Sequence, residues 1–154
     1  MVLKVADTSG APQNLKWNLE LWDLERGSLL FAEPVSGNVC PSPDGSRVAS
    51  RQESNISIMD ISKGPTRSCQ TTVAPFATTW SICFQPDGRR LAVCKGLGDI
   101  VLLDSASLEI LSTFPAHDNG ILCMAFSADS RLLATGSRTA PYVSPMSRQI
   151  SRWP

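Results

Sequence analysis

The chain has 154 residues, of which 42% are apolar and 18% are charged. This length and composition suit one domain with a sizeable core and exclude a disordered acidic or basic tail. There are 14 Lys and Arg and 14 Asp and Glu residues, so bulk charge attracts the chain neither to nucleic acid nor to an anionic membrane.

Targeting signals and cysteine usage indicate the compartment. No apolar run approaches the roughly 20 residues that cross a bilayer, and residues 1–10 lack the apolar segment of a secretory signal. The five cysteines are odd in number and widely spaced, which favours a reducing compartment. We therefore expect a cytoplasmic protein, or a nuclear one, that is not secreted. Most of the cysteines fall within apolar strands and are predicted to be buried.

A motif of a short apolar strand, a tight turn and a second strand containing Ala recurs three times along the chain. Its turns are Pro43-Asp44-Gly45, Pro86-Asp87-Gly88 and Ala128-Asp129-Ser130, with the aspartates 43 and 42 residues apart. Such a fixed spacing is the signature of a repeat architecture.

A second landmark keeps a similar spacing. An alternating apolar strand ends in Trp22-Asp23, then in Met59-Asp60, then in Leu103-Asp104, with the aspartates 37 and 44 residues apart. Turn signals separate short runs rich in Val, Ile and Leu throughout, which predicts strands and no helix.

These landmarks resemble those of the WD-repeat family, whose units have four strands in about 40–45 residues and carry Gly-His and Trp-Asp landmarks. Trp22-Asp23 is an intact Trp-Asp pair, and Ala116-His117 stands where the family has Gly-His. The resemblance covers roughly residues 15–138. It implies an all-β fold, a β-propeller built of four-stranded antiparallel blades.

The predicted strands supply about three blades. In chain order we predict an N-terminal extension 1–14, a half blade 15–36, a blade 37–74, a blade 75–116, a half blade 117–138 and a disordered C-terminal tail 139–154. Propellers have about four blades or more, so the ring is predicted to be incomplete, with two apolar faces open. The missing blades come from a longer chain or from another subunit, and the sequence leaves both open.

The sequence offers little chemistry. His117 is the one histidine, and a lone histidine makes a poor metal site or catalytic triad. The resemblance implies a structural role instead, a hydrogen bond to a second-strand hydroxyl from Thr135 or Ser137. We predict no catalytic, metal-binding or cofactor-binding residues and no enzyme activity.

The expected function is a protein–protein interaction scaffold of the WD-repeat type, with other proteins as partners and neither nucleic acid nor membrane. One alternative is a truncated isoform or fragment with little independent function. Another is a phosphoinositide-binding propeller at membranes, although Arg89-Arg90 lacks the residues that flank the paired-arginine motif of such proteins.

Overall fold

A computed structural model of the chain describes residues 2–7, 17–35, 38–52, 55–62, 70–73, 81–96, 98–137 and 148–152. These residues form fourteen strands, and the described part of the chain contains no helix, hence none long and apolar enough to cross a membrane. The prediction of an all-β fold is therefore confirmed.

The strands form four small sheets, numbered here in chain order. Sheet 1 contains β1 (Val2–Asp7), β2 (Trp17–Asp23) and β3 (Ser28–Val35). Sheet 2 contains β4 (Val39–Pro41), β5 (Arg47–Gln52), β6 (Asn55–Asp60) and β7 (Gln70–Val73). Sheet 3 contains β8 (Ile82–Phe84), β9 (Arg90–Lys95), β10 (Asp99–Asp104) and β11 (Ile110–Pro115). Sheet 4 contains β12 (Ile121–Phe126), β13 (Leu132–Ser137) and β14 (Arg148–Arg152).

Each sheet is a simple antiparallel meander, because every strand pairs with its neighbour in the sequence. The inner strand β8 lies beside both β4 and β12, the inner strands of the adjacent sheets. This arrangement of small meanders around a common inner edge is that of propeller blades.

Alternation along the strands explains why the sheets stack. Successive side chains point to opposite faces of a strand, and in β9 Leu91 and Val93 belong to the cluster shared with sheet 2, while Ala92 and Cys94 belong to the cluster shared with sheet 4. These residues are all almost fully buried. A strand that is apolar at every position therefore lies in a sheet covered on both sides.

Three apolar clusters join the four sheets in chain order. The first, between sheets 1 and 2, contains Leu19, Val35, Val48 and Met59. The second, between sheets 2 and 3, is the largest and includes Phe84. The third lies between sheets 3 and 4. Sheets 2 and 3 are thus covered on both faces, whereas sheets 1 and 4 each have one face that no other described residues cover.

Two strands lie in segments that the sequence placed outside the blades. Strand β1 falls in the predicted N-terminal extension and pairs with the whole of β2, from Val2 opposite Trp22 to Asp7 opposite Trp17. Strand β14 falls in the predicted disordered tail and pairs with β13. An unpaired strand edge leaves backbone amide and carbonyl groups without partners, and these pairings satisfy one such edge in each sheet. The expected half blades are therefore three-stranded. Of the two predicted end segments, residues 1, 8–14, 139–147 and 153–154 lie outside the described residues.

Candidate interaction surface

The turn between the first and second strands of a blade has the same backbone in sheets 2, 3 and 4. The amides of Gly45, Gly88 and Ser130 donate to the carbonyls three residues earlier at 2.8–2.9 Å. All three residues have a positive φ, between 63° and 72°, a conformation that glycine adopts at little cost. The sequence motif thus specifies one turn three times.

The aspartate of this turn caps it from within. Ser42 Oγ donates to Asp44 Oδ1 at 2.5 Å and accepts from the Arg47 amide at 2.9 Å. Ser127 makes the equivalent pair of bonds in sheet 4, with Asp129 at 2.5 Å and the Leu132 amide at 2.9 Å. In sheet 3 a glutamine replaces the serine, and Asp87 keeps only the bond from the Arg89 amide.

These hydrogen bonds stabilise the charged carboxylate. The Ser42 hydroxyl, followed by the Ser46 amide, lowers the pKa of Asp44 to about 2. The Ser127 hydroxyl is the main cause of a lowered pKa at Asp129. Both aspartates are exposed, whereas burial commonly tunes the pKa of a catalytic acid. Their hydrogen bonds therefore indicate a role in stabilising the turn.

The aspartates at the ends of β2, β6 and β10 have a similar role in the turn that follows each strand. Asp23 accepts from the amides of the second and third residues after it, and Asp104 does the same at 2.9 Å for each bond. Asp60 accepts from the Ser62 amide at 2.8 Å. Amide donation, first from Ser107, lowers the pKa of Asp104. The second landmark is therefore a set of side-chain-capped turns.

Trp22, Met59 and Leu103 occupy the same position in sheets 1, 2 and 3. A register shift precedes both Trp22 and Leu103 in their pairing with the next strand, which identifies the position as one recurring β-bulge. Met59 and Leu103 are buried against the preceding sheet. Trp22 is only partly buried, and its indole Nε1 donates to Glu20 on the open face of sheet 1 at 3.1 Å.

His117 lies where its predicted partner can reach it. Its Nε2 is 2.8 Å from Thr135 Oγ1, and Thr135 is buried in the middle of β13. Thr135, rather than Ser137, supplies the hydroxyl. The pair ties the loop before β12 to the second strand of the same sheet.

The cysteines carry no metal or disulfide chemistry in the described part of the chain. Cys40, Cys83, Cys94 and Cys123 are free, and no group of three His, Cys, Asp or Glu side chains forms a metal site among the described residues. Burial raises the pKa of Cys40 and raises that of Cys83 to about 12, so both stay protonated. Cys123 was predicted to be buried but is exposed, because it lies on the open face of sheet 4. Cys69 lies outside the described residues.

Two side chains that sequence reasoning missed bridge adjacent sheets. The Arg47 guanidinium donates to the Ser105 carbonyl at 3.1 Å, to Ser105 Oγ at 3.2 Å and to the Gly88 carbonyl at 2.9 Å. Its Cζ also lies 5.6 Å from the centroid of the Phe84 ring. One junction along, Gln85 Nε2 donates to the Ser130 carbonyl at 3.1 Å.

Both bridging side chains donate a hydrogen bond to the backbone carbonyl at the same position of the repeat. Gly88 and Ser130 are the positive-φ residues of equivalent turns, and each offers its carbonyl to a donor from the preceding sheet. The position of Arg47 gives no signal in the sequence, since Arg90 occupies the matching position in sheet 3 and has an exposed side chain. A glutamine in place of the turn serine is the one signal that could have indicated the second bridge.

The junction between sheets 1 and 2 is open at its rim. A pocket with a volume of about 330 Å³ lies there. Its lining residues are Leu21, Trp22, Asp23, Leu24, Glu25, Leu30, Gly45 and Ile61. Beside it, the hairpin between β2 and β3 exposes three leucines, and we call Leu24, Leu29 and Leu30 the hairpin patch. Their side chains are 58%, 47% and 52% exposed, which is unusual for three neighbouring large apolar residues.

A known protein family matches the segment of the chain that contains β11, β12 and β13. The family model described as WD domain, G-beta repeat, matches residues 108–139. The matched span contains β11, the His117–Thr135 pair and the turn at Asp129. This segment of the chain is similar to a WD repeat. Together with the four small antiparallel sheets, the match fits a partial WD-repeat propeller whose sheets are its blades.

Proposed function

We propose that this WD-repeat chain is a protein–protein interaction scaffold that performs no catalysis. WD40 repeats are typically non-catalytic domains that bind other proteins. The single observation that carries the proposal is the hairpin patch beside the pocket between sheets 1 and 2. A contiguous exposed apolar surface next to a pocket is typical of a protein-binding site.

The chemistry of this surface limits the partner. The pocket is lined by apolar residues such as Leu21 and Ile61 and also by the acidic residues Asp23 and Glu25. Arg26 forms an ion pair with Asp23 at 3.5 Å, and a surface ion pair of this kind contributes little energy. The surface therefore suits a partner segment that presents apolar side chains flanked by a basic residue.

The compartment and the alternative functions stay predictions. An odd number of widely spaced cysteines supports a cytoplasmic location. If the chain bound phosphoinositides instead, it would float with vesicles containing those lipids. If it had little independent function, no substitution on its surface would change what it binds.

The test is a comparison of two folded variants. The double variant Leu24→Glu, Leu30→Glu places two charges in the hairpin patch, and Leu111→Glu places one on the exposed outer strand β11 as a control. All three substitutions replace exposed side chains, so circular dichroism should show unchanged melting of both variants.

We would tag each form in cells and quantify the co-purifying proteins by mass spectrometry. Specific partners are expected to be lost with the double variant and kept with the control. An identical set of partners for all three forms would contradict the proposal.

A further inference from the structure

The two open faces of the chain are opposite kinds of surface. At each junction within the chain, two faces meet. The first is the face that a sheet turns toward the following sheet. The second is the face that the following sheet turns back toward it. Sheet 4 leaves a face of the first kind uncovered, and sheet 1 leaves one of the second kind.

The face that sheets 2 and 3 each turn toward the following sheet carries a small residue on its second strand. Ala49 in β5 and Ala92 in β9 occupy the same position of the repeat and are both 0% exposed. Ala49 belongs to a cluster with Phe84 and Leu103 of the next sheet. Ala92 belongs to a cluster with Leu133 of the next sheet. Small residues on one sheet are thus covered by large ones on the next.

Sheet 4 repeats this surface without its cover. Ala134 stands at the position of Ala49 and Ala92 but is exposed, and Ala125 lies opposite it in the register of β12 and β13. Cys123 lies opposite Gly136, and a Cβ at Gly136 would come within 2.8 Å of the Cys123 sulfur. On β12 and β13 the centre of this face therefore carries small side chains.

Sheet 1 presents the matching large residue. Trp22 stands at the position of Met59 and Leu103, whose side chains are 5% and 0% exposed because the preceding sheet covers them. Nothing in the described part of the chain covers Trp22 in that way, and its face remains open.

We propose that a second copy of the chain covers both faces, with sheet 1 of each copy stacked on sheet 4 of the other. The contact repeats the junction already formed three times within the chain, with Trp22 placed over Ala134 and Ala125. Because the two surfaces differ, two copies satisfy both contacts only by closing a ring about a twofold axis. The four sheets of the described residues in each copy give eight, which lies within the range of about four to eight blades known for propellers.

The experiment is size-exclusion chromatography with light scattering on the 154-residue chain over a wide concentration range. A mass twice the 16.6 kDa of one chain, constant above the dissociation range, is expected. A monomer at every concentration, or assemblies whose mass keeps rising with concentration, would overturn the proposal.

Two variants test the pairing of the faces, and a third is a matched control. Trp22→Arg and Ala134→Arg should each give a folded monomer, since every contact contains one of each residue. Mixed together, the two variants should associate again, because one of the two contacts is then wild type on both sides. Thr113→Arg, at an exposed position of β11, should stay dimeric. If the mixture stays monomeric while both variants melt cooperatively, the proposed pairing is wrong.

Cys123 provides an independent reading. Its thiol is exposed in one chain and would be covered by the second copy. Labelling of Cys123 should therefore be slower in the wild-type dimer than in the Ala134→Arg monomer. Equal labelling rates would exclude this face from the contact.

Discussion

Replacing Arg47 by alanine should loosen the junction between sheets 2 and 3 more than any other single substitution of a surface-reaching side chain. Arg47 lies at the start of β5, yet its three hydrogen bonds all reach sheet 3, two to Ser105 and one to the Gly88 carbonyl. The substitution removes the donor and leaves the backbone of β5 unchanged.

The size of the effect follows from these contacts. A hydrogen bond from a charged donor contributes roughly 1.5–3 kcal/mol, and an exposed cation–π contact about 0.5–1 kcal/mol. The Gly88 carbonyl keeps one partner, because Ser105 Oγ donates to it at 2.6 Å, so the loss is not the full sum. We expect Arg47→Ala to lower the free energy of unfolding by about 2–4 kcal/mol. Arg47→Lys should recover part of this, since it keeps the charge but not the planar fork of donors.

Arg90→Ala is the matched control. Arg90 has the same position in the repeat and an exposed side chain, so its removal should change stability by less than about 0.5 kcal/mol. Urea denaturation followed by circular dichroism measures both variants. Equal effects at the two positions would refute the account of the bridge.

Three further predictions concern single side chains. Thr135→Val removes the hydroxyl bonded to His117 and should lower the free energy of unfolding by about 1–2 kcal/mol. Its control, Thr113→Val on the outer strand β11, should change that free energy by less than about 0.5 kcal/mol. Similar urea midpoints for the two variants would contradict a stabilising His117–Thr135 hydrogen bond. The charge of Asp44 stabilises the fold above the ordinary carboxyl pKa of 3.8, and that stability is lost as pH falls toward the folded pKa of about 2. The melting-temperature advantage of wild type over Asp44→Asn should therefore disappear near pH 2, and a difference that is constant with pH would contradict it. Cys83 should react with a thiol reagent at pH 8 only after unfolding, because burial raises its pKa to about 12. If the native Cys83→Ser variant showed one reactive thiol fewer than the native wild type, this prediction would be wrong.

The repeat itself could be predicted because its determinants are local. An Asp-Gly turn at Asp44 or Asp87 is predicted from neighbouring residues, and the structure has that turn with the same backbone hydrogen bonds in each case. The three Trp-Asp-like positions likewise predict a strand followed by a capped turn. The apolar runs of β9 and β10 predicted strands, and the structure covers both faces of these strands.

What could not be predicted depends on neighbours distant in sequence. Arg47 and Arg90 have the same local motif, but only Arg47 bridges two sheets; at the next junction Gln85 makes the bridge instead. Strand β14 has the sequence Arg-Gln-Ile-Ser-Arg and shows no apolar alternation. It forms because the edge of β13 offers unpaired backbone groups, which a pattern in the strand's own sequence cannot report. The exposure of Cys123 likewise depends on a face that none of the described sheets covers.

The central claim is that four small sheets stack in chain order, with sheets 2 and 3 covered on both faces. Hydrogen–deuterium exchange read by mass spectrometry tests it most directly, since amide protection follows burial and cooperative packing. The slowest exchange is expected in β9 and β10, next in β5 and β6, and faster exchange in the exposed strands β3 and β11. Fast exchange in β9 and β10, or protection concentrated in sheets 1 and 4, would contradict the stacked arrangement.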